Sequence, residues 1–215
     1  MKANTYRKSI YREISSSKAR FISILLIIFL GTAFFAGIRS TSPDMNNLAN
    51  NYYKNLNLMD SRIVSTLGLT EKDLDVLKND DNVLSYTGSK SFDVSLSNMN
   101  NVVKFMGFNK EDNEKMNTLE VVEGRLPENK GEIALDKGAL KKSPDLKIGD
   151  TFKIEADEDS MDKFNTKEFT IVGFVNSPMY VESGSRGTST VGKGSVDYFA
   201  VVDSEDINMD VFTEI

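Results

Sequence analysis

The 215-residue chain contains no cysteine, no histidine and no tryptophan, and only four prolines. Without cysteine no disulfide can staple it, which sets it apart from the small secreted scaffolds that depend on them. Without histidine it lacks the commonest general base and the commonest transition-metal ligand, and the two absences together remove every Cys/His arrangement for nucleophilic catalysis. A net positive charge is found in one place alone. Lys and Arg number 26 against 32 Asp and Glu. Six of those bases (Lys2, Arg7, Lys8, Arg12, Lys18 and Arg20) and one acid, Glu13, precede Phe21, so the head has a net charge of +5 and the remainder −11. An acidic remainder offers no basic footprint for nucleic acid.

What the chain does have is one long apolar run. Phe21 to Ile38 holds no charged side chain and is bracketed by Arg20 and Arg39. Eighteen residues at about 1.5 Å each span about 27 Å, close to the ~30 Å hydrocarbon core of a bilayer. The hydroxyls of Ser23 and Thr32 can bond back to the helix backbone, so 21–38 reads as a transmembrane helix. The excess of Lys and Arg before it places the N-terminus in the cytoplasm and the rest of the chain outside. A cleaved signal peptide is the rival reading. Twenty residues make a long leading region, and no small-x-small site follows the run, so an uncleaved anchor is expected. Residues 1–20 form a basic amphipathic head, with Tyr6, Ile10 and Ile14 near helical spacing. It suits an anionic inner leaflet, a cytoplasmic partner, or no more than a topogenic flank. Small residues at Thr32, Ala33, Ala36 and Gly37 would let a second helix approach.

Beyond the membrane, Ser42 and Pro43 read as the start of a stalk helix within 39–58, with Met45, Leu48, Ala49, Tyr52, Tyr53 and Leu56 in one apolar stripe. Residues 59–215 read as a mixed strand-and-helix domain. Strands are expected at 61–66, 83–86, 91–96, 102–108, 132–135, 151–156, 168–175 and 196–202, with a strand closing in a turn at Val121–Pro127. Helices are expected after the Thr70–Asp73 capping box, over 136–142, and from Ser204 onward. The fold class is α+β.

Four segments then resemble a known family. Glu123-Gly124-Arg125-Leu126-Pro127, Gly131 to Leu135, Leu146 to Asp150 and Phe169 to Gly173 are similar to the EGR-P turn, EI-L strand, IGD turn and F-IVG strand of the extracellular core domain of FtsX-like, MacB-type ABC transporter permeases. Ser177-Pro178-Met179-Tyr180, Gly192 to Ser195 and Asp197-Tyr198-Phe199 resemble long-form members from Firmicutes. The resemblance implies a permease subunit with a separate cytoplasmic ATPase and a second permease subunit or half in the bilayer. It would couple ATP-driven movement inside to export or mechanotransmission outside. The family has further spans after the outer domain, so an N-terminal fragment with a C-terminally incomplete core domain is expected. A single-pass receptor or sensor with an extracellular ligand-binding domain is the alternative, and a membrane-anchored enzyme is disfavoured.

No catalytic, cofactor-binding or metal residues are assigned, and no cofactor is expected. Gly187 to Gly194 nearly spells a phosphate-binding loop, but Gly194 stands where the hydroxyl belongs and a strand follows. Asp157-Glu158-Asp159 with Asp162 misses the EF-hand spacing and reads as a solvated turn. Met99, Met106, Met116, Met161 and Met179 are dispersed in sequence and read as core filling. Arg125 reads as a surface residue that orients its turn.

Overall fold

A computed structural model describes residues 2–181 and 184–215. They fall into two compact units that divide between Asn51 and Tyr52.

The first unit is helical: α1 (Lys2–Ser16) and most of α2 (Lys18–Asn55), separated by Ser17. The run 21–38 lies inside α2, which is long and apolar enough to cross a membrane and has no buried residue. Ser23 Oγ donates to the Ala19 carbonyl (2.8 Å) and Thr32 Oγ1 to that of Ile28 (2.9 Å), so neither hydroxyl is left unpaired in an apolar setting. A separate helix beginning at Ser42 and Pro43 is not what forms. Pro43 lies inside α2, because its fixed φ suits a helix even though its missing N–H removes one bond to the preceding turn. One turn before it, Ser40 and Thr41 direct their hydroxyls to the Gly37 carbonyl at 3.1 and 2.8 Å.

The second unit is α+β. In chain order it contains β1 (Val64–Leu69), α3 (Glu71–Lys78), β2 (Ser91–Leu96), β3 (Asn101–Phe108), α4 (Lys110–Lys115), β4 (Glu120–Gly124), β5 (Glu132–Asp136) and α5 (Ala139–Lys142). There follow β6 (Thr151–Lys153), α6 (Glu158–Met161), β7 (Glu168–Asn176), β8 (Tyr198–Asp203), a 3-10 turn at Ser204–Asp206, and β9 (Phe212–Glu214). A mixed sheet runs in the order β2-β3-β8-β5-β7-β4, with β6 also on β7, while β1 and β9 form a separate antiparallel pair. Tyr198 to Val202 are buried without alternation, as expected of a strand covered on both faces. One face packs Phe92, Phe105, Ile133, Phe169, Ile171 and Tyr198; the other packs Phe108, Ala134, Val175, Phe199 and Val201. Phe164 meets the rings of Phe105 and Phe92 edge-on at 4.8 and 5.0 Å.

Several local expectations are displaced. Residues 83–86 form no strand, and Leu84 is fully exposed: the segment finds no neighbouring edge, and Ser89 makes the bridge to Glu214 instead. The segment from Ser204 is a single 3-10 turn followed by β9, whose partner, β1, lies far back in the chain. The first strand falls at Val64–Leu69 rather than 61–66. Asp136 ends β5 rather than opening a helix, because its carboxylate accepts the Gly138 N–H (2.8 Å) and turns the chain there.

β4 meets β7 with Gly124 opposite Gly173 and a register shift between Val121 and Glu123. Both glycines are required. Gly124 has φ +76° and a Cβ there would overlap the Val172 carbonyl, while a Cβ on Gly173 would overlap that of Arg125. Gly173→Ala must therefore push the strands apart. It should cost about 1–3 kcal/mol and lower Tm by roughly 3–10 °C, measured by circular dichroism. Gly184→Ala, whose added methyl meets nothing within 4 Å, should leave Tm nearly unchanged.

Candidate functional site

The four segments that carry the family resemblance come together on β7. One edge of β7 is taken by β5. The other is shared end to end by β6, opposite residues 168–170, and β4, opposite residues 173–176. The gap between them is closed by the two turns. Ile171 N–H donates to the Asp150 carbonyl (2.9 Å), Gly149 N–H to that of Ile171 (2.8 Å) and Arg125 N–H to that of Val172 (3.0 Å). The Leu146–Asp150 turn closes on itself through Lys147 N–H and the Asp150 carboxylate (2.9 Å), with Gly149 at φ +94°. That conformation favours glycine.

Arg125 does orient its turn, and it does so by gripping Glu132. Its two terminal nitrogens donate to the two carboxylate oxygens at 2.6 and 2.5 Å, and one also reaches the Leu126 carbonyl (3.0 Å). Glu132 further accepts the N–H groups of Glu128 (2.9 Å) and Asn129 (3.2 Å). The Arg125 guanidinium, foremost, holds the Glu132 carboxyl down at about 2. A carboxylate with donors on both oxygens has little capacity left for metal or substrate. The arrangement is a clamp between the turn after β4 and the start of β5.

The near phosphate-binding loop has no phosphate-binding geometry. Gly187 to Ser195 folds back on itself through the Thr188–Ser195 bridge and leads into β8 rather than a helix. Lys193 Nζ pairs with Asp197 Oδ2 (2.7 Å), whose other oxygen takes Lys142 (3.2 Å). Burial opposes ionisation of Asp197, but Lys193, the Val102 N–H and Lys142 outweigh it and hold the carboxyl below its ordinary range. The acidic turn is a helix start: Asp157 accepts both the N–H and the hydroxyl of Ser160 at 2.9 Å, capping α6. Among the described residues, no three His, Cys, Asp or Glu side chains are grouped to hold a metal ion.

Sequence reasoning missed four buried carboxylates. Asp136 is fully buried and paired with Arg186 (Nε–Oδ2 2.6 Å), which ties the loop between β7 and β8 to the end of β5. Asp206 accepts from Gly131 N–H (2.8 Å) and Thr166 Oγ1 (2.5 Å). Asp197 is the third, and Glu214 in β9, paired with Arg62 (3.4 Å), is the fourth. The one local signal was the Asp136-x-Gly138 turn.

Two further features lie on the second unit. Just after α2, the chain is fastened by backbone bonds from Thr118 N–H to Leu56 O (2.9 Å) and from Asn117 N–H to Asn57 O (2.8 Å), and Met59 N–H donates to Asn117 Oδ1 (3.0 Å). Asn57 and Asn117 take φ +49° and +52° there, a region asparagine tolerates. Nearby lies an open groove of about 1550 Å³ lined by Met59, Met106, Met116, Met179 and Met209, with Phe212 from β9. Of the dispersed methionines, Met99, Met106 and Met161 pack against the two cores as core filling; Met106 also reaches this groove, where long-range pairing brings it together with Met116 and Met179. Thioether side chains give such a surface soft, adaptable apolar contact.

No family model matches the chain, and no curated protein matches it. Among solved structures it is similar to the periplasmic region of MacB from Actinobacillus actinomycetemcomitans, at 17% identity over 68% of each chain and a TM-score of 0.32.

The clamp has a pH signature. The folded-state value of Glu132 is depressed from its ordinary 4.5 to about 2. Its stabilisation is therefore present above pH 4.5 and lost as pH falls through that interval. Glu132→Gln should lower Tm at neutral pH, and the gap from the parent chain should close as the pH approaches 2, read from melting curves at stepped pH.

Proposed function

We propose that the chain supplies the first span and the outer domain of an FtsX-like, MacB-type ABC transporter permease. It would work with a separate cytoplasmic ATPase and a second permease subunit or half in the same plasma membrane, N-terminus inside and second unit outside. ATP-driven movement inside would pass along α2 to the outer unit, for export or for transmission of force to an extracellular partner.

The observation that carries this reading is the convergence of the four resembling segments on β7. Each is short and built from ordinary turn and strand chemistry, and as unrelated motifs they would have no reason to meet. Here the second turn fills the gap that the first leaves in one ladder, and Arg125 joins the first to the start of β5. A second support is mechanical. α2 runs 38 residues, about 57 Å at 1.5 Å per residue, and the two residues that follow it, Leu56 and Asn57, are bonded to Thr118 and Asn117, just before β4, which pairs with β7. Force arriving there would enter the sheet at the residues that carry the resemblance. The methionine-lined groove favours a second reading, a single-pass receptor whose outer domain binds a ligand.

Purification from its own membranes in mild detergent separates the two. The permease reading expects an ABC ATPase with an intact nucleotide site to co-elute in stoichiometric amount. Its ATP turnover should be abolished by changing the ATPase's own phosphate-binding lysine and unaffected by Lys193→Ala in this chain. Recovery of the chain without an ATPase would reject this reading in favour of the receptor.

A further inference from the structure

α1 carries an apolar side on which Tyr6 and Ile10 are exposed and Ile14 is half-buried. At about 100° per residue, Tyr6, Ile10 and Ile14 share one side, and Lys8 and Arg12 lie roughly 160° from Ile10. Tyr6 and Tyr11 are more than 70% exposed and Ile10 is 42% exposed. Arg7, Lys8, Arg12, Lys18 and Arg20 face a single acid, Glu13, over the same stretch. Where α1 ends, the Glu13 carbonyl accepts three bonds: from Ser16 Oγ and Ser17 Oγ, both at 2.9 Å, and from Ser17 N–H at 3.2 Å. Hydroxyls bonded back to a helix in this way loosen and bend it, and this is where α1 gives way to α2. Phe21, the first residue of the apolar run, follows Ser17 by about 6 Å of helix rise.

We propose that α1 is a docking element for anionic phospholipid, lying along the membrane surface with Tyr6, Ile10 and Ile14 set into the headgroup boundary. Two observations name this occupant. The charge complements an anionic surface, and the helix is covalently joined to the apolar segment, so a bilayer entered by α2 is already beside it. Arg7 flanks the apolar side and can extend its guanidinium to phosphate while its stem stays against lipid. The serine joint lets α1 leave the line of α2. The proposal rests on α2 spanning a bilayer.

The chain has no cysteine, so Ile10→Cys provides a single site for an environment-sensitive dye in the full chain, reconstituted into vesicles. The vesicles are phosphatidylcholine alone or phosphatidylcholine with phosphatidylglycerol. Both leaflets are alike, so orientation does not matter. With phosphatidylglycerol present, the emission should shift to the blue and rise about threefold. It should return toward its aqueous value at 1 M salt, where the Debye length is about 3 Å. A dye at Thr5→Cys, on the opposite side, should remain aqueous. Combining Arg7→Glu, Lys8→Glu and Arg12→Glu should abolish the shift at position 10, while the three corresponding changes to Lys or Arg that keep charge should preserve it. Flotation tests the underlying span separately, since the chain should float with either lipid. A chain that floats but shows no blue shift with phosphatidylglycerol overturns lipid docking and leaves α1 to a cytoplasmic protein or to topology alone. An equal shift in both lipids overturns the anionic requirement. Failure to float removes the span and the proposal with it.

Discussion

The second unit depends on the close approach of two backbones at Gly124 and Gly173. β7 is buried along most of its length, so its amides and carbonyls need partners on both edges. β5 satisfies one edge. The other is patched from two short strands, and the join between them would leave backbone groups unpaired if Gly149, Asp150 and Arg125 did not fill it. They can do so only because β4 comes close enough to exclude any side chain from either glycine. The Arg125–Glu132 clamp then fixes the chain as it leaves that contact and starts β5 in register. In this view the composition of the segment follows from architecture: glycine for approach, arginine and glutamate for the return.

That architecture also explains which parts could be read in advance. The strands 91–96, 102–108, 132–135 and 168–175 were legible because alternation or a continuous apolar run marks a strand whatever its partner. Asp73 was legible too, since its carboxylate accepts the Thr70 N–H at 2.7 Å within one turn. What escaped depends on distant partners. β9 is three residues long and gains its identity from β1. Val83 to Tyr86 is apolar enough for a strand, yet no edge is offered to it. The methionine-lined groove draws on residues spread from Met59 to Ile215, and Asp136 looks like any surface acid until Arg186 reaches it from fifty residues away. Arg125 was assigned its turn-orienting role from the sequence, but the partner that makes the role possible, Glu132, was not.

The two units solve different solvent problems with the same backbone rule. In α2, the hydroxyls of Ser23 and Thr32 bond to carbonyls of the preceding turn, so an apolar environment meets no unpaired group there. In the sheet, pairing between strands does the same work, and buried acids such as Asp206 and Asp136 are tolerated because each is met by donors.

The central claim is that the turn residues and β7 form one cooperative unit. Native-state hydrogen exchange of the backbone N–H groups of Arg125, Gly149 and Ile171 tests it most directly, because each of these bonds crosses between segments. The account predicts that all three exchange only through the same large opening, with matching dependence on denaturant. Fast exchange at Arg125 and Gly149, independent of denaturant while Ile171 stays protected, would contradict it and reduce the two turns to loops resting on the sheet.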